Sequence, residues 1–142
     1  MKKINTVVVH DKPSDFLETS LRITSKNNLV YLIGGEAVRY LDKYENVIYV
    51  DINKYFQQEK FIRYKDKFEH FGDKDEWSYY FWFMRLFLIY EFMKDYNFTR
   101  IFSCDSDNIL LDDVNKYPFK AKNAIVIPQV WEDHWFTSSV HA

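Results

Sequence analysis

Apolar residues along this chain form short runs separated by segments with helical spacing. Residues 4–9, 29–33 and 47–50 are rich in valine, isoleucine and leucine, and each run has the length of a buried strand. Two further runs, 101–102 and 124–127, predict strands in the second half of the chain. Strands that alternate with helices indicate the α/β class, with a mainly parallel sheet covered by helices on both faces.

The segments between the runs predict the helices. We expect one helix to begin after Pro13, with Ser14 or Asp15 as its cap. It continues to about Lys26, and a short helix is expected over residues 36–44. The apolar face of the first helix is expected to contain Phe16, Leu17, Leu21 and Ile23.

A long polar connection separates the third strand from the longest helix. Residues 53–76 are rich in lysine and aromatic side chains, and they predict one or two short helices within a connection. Residues 77–96 predict a long helix that is apolar on almost every side. We therefore expect this helix to be buried between two layers.

Length and composition limit the classes of protein that the chain can belong to. Its 142 residues make one ordinary domain, and 47% of them are hydrophobic, which is enough for a core. The formal net charge of −2 gives no overall field for binding nucleic acid or an anionic membrane. Cys104 is the single cysteine, so a reducing compartment is expected. Because no signal peptide or membrane-spanning run is found, the predicted location is the cytoplasm.

The strongest chemical signal follows the fourth run. Residues 100–103 lead into Asp105, Ser106 and Asp107, which we expect to form a turn. Carboxylates at the end of a buried strand are unfavourable unless a positive charge lies nearby, and Mg²⁺ or Mn²⁺ prefers such oxygen ligands. Both aspartates reach one ion only if the turn bends, because alternate residues of an extended chain point to opposite sides. A helix cap or an Asx-turn is the structural alternative.

Polar residues and glycines also follow the first three strands. They are His10-Asp11, Gly34-Gly35 and Asp51. Because ligands of parallel α/β folds bind outside the carboxyl ends of strands, we expect these residues along the same edge as the acidic turn. Ordinary loop roles explain His10, Asp11 and Asp51 nearly as well. The glycines permit close backbone approach, although such a pair more often marks a simple turn.

Two residues near the acidic turn each have alternative roles. Arg85 lies within the apolar helix and needs a partner there. A donor phosphate or a site carboxylate is one possible partner. Exposure to solvent, or a structural pair with Glu91 or an aspartate, explains this arginine equally well. Cys104 is expected to be a buried packing residue with a raised pKa rather than a nucleophile.

The segment Trp131-Glu132-Asp133-His134-Trp135 sets two acids and an imidazole between tryptophans. Glu132 or Asp133 is a candidate catalytic base, and His134 is a candidate third metal ligand. A surface loop with packing tryptophans is the preferred interpretation, because position alone does not place this segment in the site.

Residues 82–114 resemble the D-x-D region of nucleotide-sugar glycosyltransferases of the GT-A fold. Glycogenin-like and bacterial galactosyltransferase-type enzymes have a similar arginine-containing helix, followed by apolar residues and two aspartates. The resemblance extends loosely over residues 4–128, and it implies a Rossmann-like nucleotide-binding sheet. It also implies that Asp105 and Asp107 hold Mn²⁺ or Mg²⁺ on the diphosphate of a UDP-sugar donor.

The predicted function is therefore metal-dependent transfer of a sugar from a nucleotide-sugar donor to a glycan, lipid or protein acceptor. The residues expected to contact the donor are His10, Asp11, Asp51, Arg85, Asp105 and Ser106. Related enzymes usually continue well beyond the D-x-D strand, so we expect residues 1–142 to be a single donor domain that lacks the acceptor region.

Other functions remain open at this stage. A nucleotidyltransferase or phosphohydrolase would use the same acidic site, and a non-catalytic fragment or interaction module would use neither metal nor nucleotide. No nucleic-acid partner and no transmembrane segment are expected. The sequence leaves open the sugar, the acceptor, the retaining or inverting outcome and the formation of a homo-oligomer.

Overall fold

The computed structural model describes residues 3–70 and 75–117, together with the backbone of 125–126 and 140–141. The strands are β1 Asn5–Val9, β2 Val30–Gly34, β3 Val47–Asp51, β4 Ile101–Ser103, β5 Ile125–Val126 and β6 Val140–His141. The helices are α1 Asp15–Thr24, α2 Asn53–Phe56, α3 Glu59–Lys67 and α4 Glu76–Asp95, with 3₁₀ helices at Glu36–Lys43 and Val114–Lys116. The predicted elements are confirmed within about two residues. The short helix after β2 is a 3₁₀ helix, and β6 was not predicted.

The six strands form one sheet in the order β3-β2-β1-β4-β6-β5. The first four strands of that order run parallel, whereas β6 pairs antiparallel with both β4 and β5. The chain moves outward from β1 to β3 and then returns to place β4 on the other side of β1. The strand order therefore reverses between β1 and β4, which is where parallel α/β sheets open a crevice for ligands.

Helices cover both faces of the sheet, as predicted. Neighbouring strand residues point to opposite faces, so Val7 and Val9 pack toward α2, α3 and α4, whereas Val8 packs toward α1 and the first 3₁₀ helix. In β2, Tyr31 and Leu32 divide in the same way. The two resulting apolar layers hold the strands in a fixed position, and with them the loops at their carboxyl ends.

The prediction that α4 is buried between two layers is wrong. Its sheet-facing stripe is buried and contains Tyr80, Met84, Leu88, Ile89 and Phe92. Its outer side is exposed, with Phe83 53%, Phe87 52% and Tyr90 60% accessible. The helix contacts the sheet along one stripe, and the rings of Phe83 and Phe87 still touch those of Phe68 and Tyr64. An apolar sequence on every side gives no polar face to mark the outward direction.

The apolar face predicted for the first helix needs a similar correction. Leu17 and Leu21 are buried, as expected. Phe16 is 49% exposed because it lies in the first turn, beyond the strand ends, and Ile23 is partly exposed. Across the described parts of the chain, none of the helices has the length and apolar character needed to cross a membrane.

Candidate functional site

A cavity of about 790 Å³ opens at the carboxyl ends of β1 and β4, at the point where the strand order reverses. The loop after β1 contributes His10, Asp11 and Lys12 to its lining. The acidic turn after β4 and the first half of α4 form its other walls. The cavity has the size of a small-molecule site, and it lies where ligands bind in folds of this kind.

The acidic turn bends in the way that a shared site requires. The backbone N–H of Asn108 donates to the carbonyl oxygen of Asp105 over 3.0 Å, which closes a turn. Asp105, Ser106 and Asp107 all line the same cavity as a result. The bend therefore brings Asp105 and Asp107 to the same cavity. Without a bend, these two residues would point to opposite sides of an extended chain and could not face one ligand.

Polar residues on α1 and in the turn that follows it anchor the chain after the acidic turn, and sequence analysis did not identify them. Ser20 donates to the carbonyl oxygen of Asn108, and the hydroxyl of Thr24 accepts from the N–H of Leu110 over 3.0 Å. Buried Asn28 accepts from the N–H of Val114 over 2.9 Å. The spacing of Ser20, Thr24 and Asn28, four residues apart along a buried side, was the signal that could have revealed this role.

Arg85 forms an ion pair with Asp105 across the cavity. The two side chains are 29% and 33% exposed, so water screens the pair only in part. Of the partners left open by the sequence, Arg85 contacts a site carboxylate. Glu91 pairs instead with Lys60 and Lys94, and the hydrogen bond from Lys60 is the main reason that the pKa of Glu91 lies below its ordinary value.

His10 links the acidic turn to the start of α1. Its Nδ1 lies 2.8 Å from the hydroxyl of Ser106, and its Nε2 lies 3.3 Å from the hydroxyl of Ser14. The ring also meets the edge of Phe16 at 5.6 Å between centroids. Burial lowers the pKa of His10 below its ordinary value, so the imidazole is neutral at pH 7.

The glycine pair after β2 allows close approach to the loop after β1. A Cβ on Gly34 would lie 2.4 Å from the carbonyl oxygen of His10, and a Cβ on Gly35 would lie 2.9 Å from that of Asp11. Any larger side chain at Gly34 would thus push His10 away. These glycines shape the cavity through the backbone of its neighbouring loop, which the turn interpretation alone did not include.

Asp51 and Cys104 are not among the described residues that line the cavity. Asp51 is outside the described lining of the cavity, and its Oδ1 accepts from the N–H and the side-chain amide of Asn53 at 2.9 and 3.1 Å. The structure therefore does not bring Asp51 together with the other predicted donor contacts. Cys104 is buried, and burial raises its pKa to about 12, which confirms the prediction of a packing residue.

Aromatic side chains form a wall that sequence analysis assigned to the core. Trp77, Phe81 and Trp82 of α4 line the cavity together with Arg85. Their spacing places them on one stripe of the helix, which leads from the acidic turn toward the start of α4. Trp77 and Trp82 are 36% and 43% exposed, so flat apolar surface faces the opening.

The charges that line the cavity are unbalanced. Among the described residues of the lining, four carboxylates face two cations, Lys12 and Arg85, and His10 is neutral, which leaves an excess of two negative charges. The carboxylates are Asp11, Asp75, Asp105 and Asp107. Such a cavity attracts cations and repels a polyphosphate that arrives without one.

Asp105 and Asp107 are the residues of the cavity to compare with the needs of a divalent cation. Within the described ranges, no group of three or more histidine, cysteine or acidic side chains could enclose an ion. Asp105 and Asp107 supply two carboxylates, and Mg²⁺ or Mn²⁺ is often held by one or two carboxylates together with substrate phosphates. The predicted candidates Glu132, Asp133 and His134, with Trp131 and Trp135, lie outside the described residues.

Comparison of the chain with protein-family models, with curated proteins and with solved structures finds no match.

Proposed function

We propose that this chain forms the donor site of a metal-dependent glycosyltransferase of the GT-A type, with a UDP-sugar as donor. The observation that carries the proposal is the position of Asp105 and Asp107. Both line one cavity at the switch point of a parallel sheet, and an arginine lies beside them. That arrangement suits a nucleoside diphosphate, which brings negative charge to the strand ends and needs cations to neutralise it.

In this proposal, different residues of the cavity bind the metal ion, the phosphates and the nucleoside. Asp105 and Asp107 would hold the divalent ion, which would supply positive charge to stabilise a diphosphate leaving group. Arg85 reaches the same phosphates, since it lies in the cavity beside Asp105. His10 and Asp11 lie at the end of β1 and border the space for the nucleoside. The acceptor, whether glycan, lipid or protein, would approach from the open side.

Calorimetric titration with a ligand series tests the proposal. In the presence of Mn²⁺, we expect UDP to bind more tightly than UMP, and UMP more tightly than uridine, because the diphosphate makes the ion-mediated contacts. Asp107→Asn should weaken UDP binding by about 10-fold or more, since it removes a charged ligand of the ion. Asp51→Asn is the matched control and should leave UDP binding unchanged, because Asp51 is outside the described lining. Equal affinities for UDP and uridine would contradict the proposal.

Product analysis separates the proposal from the other metal-dependent classes. A glycosyltransferase releases UDP from a UDP-sugar only as the sugar reaches an acceptor or water. A nucleotidyltransferase would release pyrophosphate from UTP in the presence of a sugar phosphate. Release of pyrophosphate, with no UDP from UDP-sugars, would replace the proposed function by that alternative.

A further inference from the structure

We infer that Arg85 opposes binding of the divalent cation and favours binding of the diphosphate, so that the two ligands bind cooperatively. The inference rests on the proposed function, because it concerns the same site. It adds a rule for how the site fills: Arg85 leaves Asp105 when the cation arrives, and it then takes a phosphate as its new partner.

The first step of the argument is the contact in the ligand-free protein. A guanidinium nitrogen of Arg85 contacts Oδ1 of Asp105. A carboxylate oxygen that accepts from a guanidinium has less capacity to coordinate a cation. A divalent ion at the other oxygen of the same carboxylate would lie close to the positive charge of Arg85. In both geometries Arg85 lowers the affinity of Asp105 for the ion.

The second step concerns what Arg85 does once it is released. Its side chain is only 29% exposed, so a position without an anionic partner is unfavourable. Of the other carboxylates in the described lining, Asp107 would hold the ion as well, and Asp75 already accepts from the N–H and the hydroxyl of Ser78. A phosphate group is a matched partner for a guanidinium, which can donate two parallel hydrogen bonds to two of its oxygens. Arg85 therefore gains a contact with the diphosphate when the cation displaces it from Asp105.

The third step is the overall charge of the cavity. The described part of its lining carries two more negative than positive charges, so a free diphosphate is repelled and a free cation is attracted. Removal of Arg85 makes the cavity more negative. This change strengthens cation binding and weakens diphosphate binding, which is the same direction as the local contacts predict. Removal of Arg85 therefore changes the affinities for the cation and for the diphosphate in opposite directions. A merely structural role for Arg85 would not produce opposite changes.

Binding measurements on Arg85→Met test the inference without any catalytic turnover. Free Mn²⁺ is followed by its electron paramagnetic resonance signal, and UDP binding is followed by calorimetry at saturating Mn²⁺. We expect Arg85→Met to bind Mn²⁺ alone roughly 3- to 10-fold more tightly than the wild type, as befits a partly exposed ion pair. UDP binding at saturating Mn²⁺ should weaken by about 10-fold or more, because a bidentate phosphate contact is lost.

Two control variants separate the local contact from the general field. Lys12→Met removes the other cation in the part of the lining that the structure describes, and it should raise Mn²⁺ affinity by less than about 2-fold, because an exposed charge is largely screened. In an Asp105→Asn background, Arg85→Met should raise Mn²⁺ affinity by less than about 2-fold, because only the screened general field remains once the competition for Asp105 is gone. Circular dichroism checks that all variants keep the helical content of the wild type.

The outcomes distinguish this inference from the function on which it rests. Equal Mn²⁺ affinities for Arg85→Met and Lys12→Met would overturn the inference, and so would unchanged UDP binding by Arg85→Met. Failure of the wild type to bind UDP in Mn²⁺ would overturn the proposed function and the diphosphate half of the inference together. Tighter Mn²⁺ binding by Arg85→Met, paired with weaker UDP binding, supports the inference.

Discussion

Replacement of His10 by phenylalanine is a sharp test of the described site, because it removes two hydrogen bonds and keeps an aromatic ring. The ring of His10 lies between the hydroxyls of Ser106 and Ser14, at 2.8 and 3.3 Å from its two nitrogens. Phenylalanine retains the edge contact with Phe16. The variant therefore isolates the polar contacts that attach the acidic turn to the start of α1.

The expected loss follows from the two distances and the partial exposure of the groups. A hydrogen bond between neutral groups contributes about 0.5–1.5 kcal/mol to stability, and the bond of ordinary length to Ser106 should account for most of the effect. Water can reach both hydroxyls after the change, since Ser14 and Ser106 are partly exposed. We therefore expect His10→Phe to lower the free energy of unfolding by about 1–2 kcal/mol.

Urea denaturation at pH 7.5 measures this change, and double-mutant cycles assign it to each bond. His10→Phe combined with Ser106→Ala should show a coupling energy of about 1 kcal/mol. The matched cycle with Ser14→Ala should show a smaller coupling energy. The hydroxyl of Ser14 lies 3.3 Å from the ring of His10, whereas the hydroxyl of Ser106 lies at 2.8 Å.

The pH dependence of the same variant has a defined sign. Burial lowers the pKa of His10 in the folded protein below its ordinary value of 6.5. Below that pH the unfolded chain binds a proton that the folded protein binds less readily, so the stability contributed by His10 falls as the pH falls. The stability difference between wild type and His10→Phe should therefore shrink from pH 7.5 to pH 5.5. A larger coupling to Ser14 than to Ser106, or a difference that grows at low pH, would refute the reasoning.

Three further predictions test the packing of the protein. Gly34→Ala should lower the free energy of unfolding by about 1–3 kcal/mol in urea denaturation, because its Cβ would meet the carbonyl oxygen of His10 at 2.4 Å; an unchanged midpoint would contradict this. Phe92→Ala should lower it by about 3–5 kcal/mol, whereas Phe83→Ala on the same helix should change it by less than about 1 kcal/mol, since Phe92 is 0% and Phe83 is 53% exposed. Cys104 should react with iodoacetamide at pH 8 only after unfolding, because burial raises its pKa to about 12; rapid labelling of the folded protein, followed by mass spectrometry, would show otherwise.

The strands and the acidic turn could be predicted from the sequence because their signals are local. The β-branched run that ends at Val9 and the apolar residues before Asp105 each mark a buried strand by composition alone. The parallel order then predicts that the ends of these strands meet at one edge, and His10 and Asp105 do line one cavity. Periodicity and strand-end position were enough for this much of the site.

The remaining features depend on contacts between distant parts of the chain. The sequence left Arg85 with several partners, and only the packing of α4 beside β4 brings it to Asp105. Aromatic residues occur on every side of α4, so the helix has no polar face. The sequence therefore could not predict that Phe92 is buried and Phe83 is exposed. The approach of Gly34 to His10 depends on the register of β1 and β2, which a short apolar run does not specify.

The most direct test of the central claim is the affinity of the wild-type protein for UDP, measured by calorimetry with Mn²⁺ and again with a chelator. The lining of the cavity has an excess of negative charge, so a diphosphate should bind well only when a divalent ion accompanies it. We predict that UDP binds at least about 10-fold more tightly with Mn²⁺ than without it, because ion-mediated contacts to Asp105 and Asp107 then replace repulsion. Folded protein that binds UDP equally in both conditions, or in neither, would contradict the account of a metal-dependent donor site.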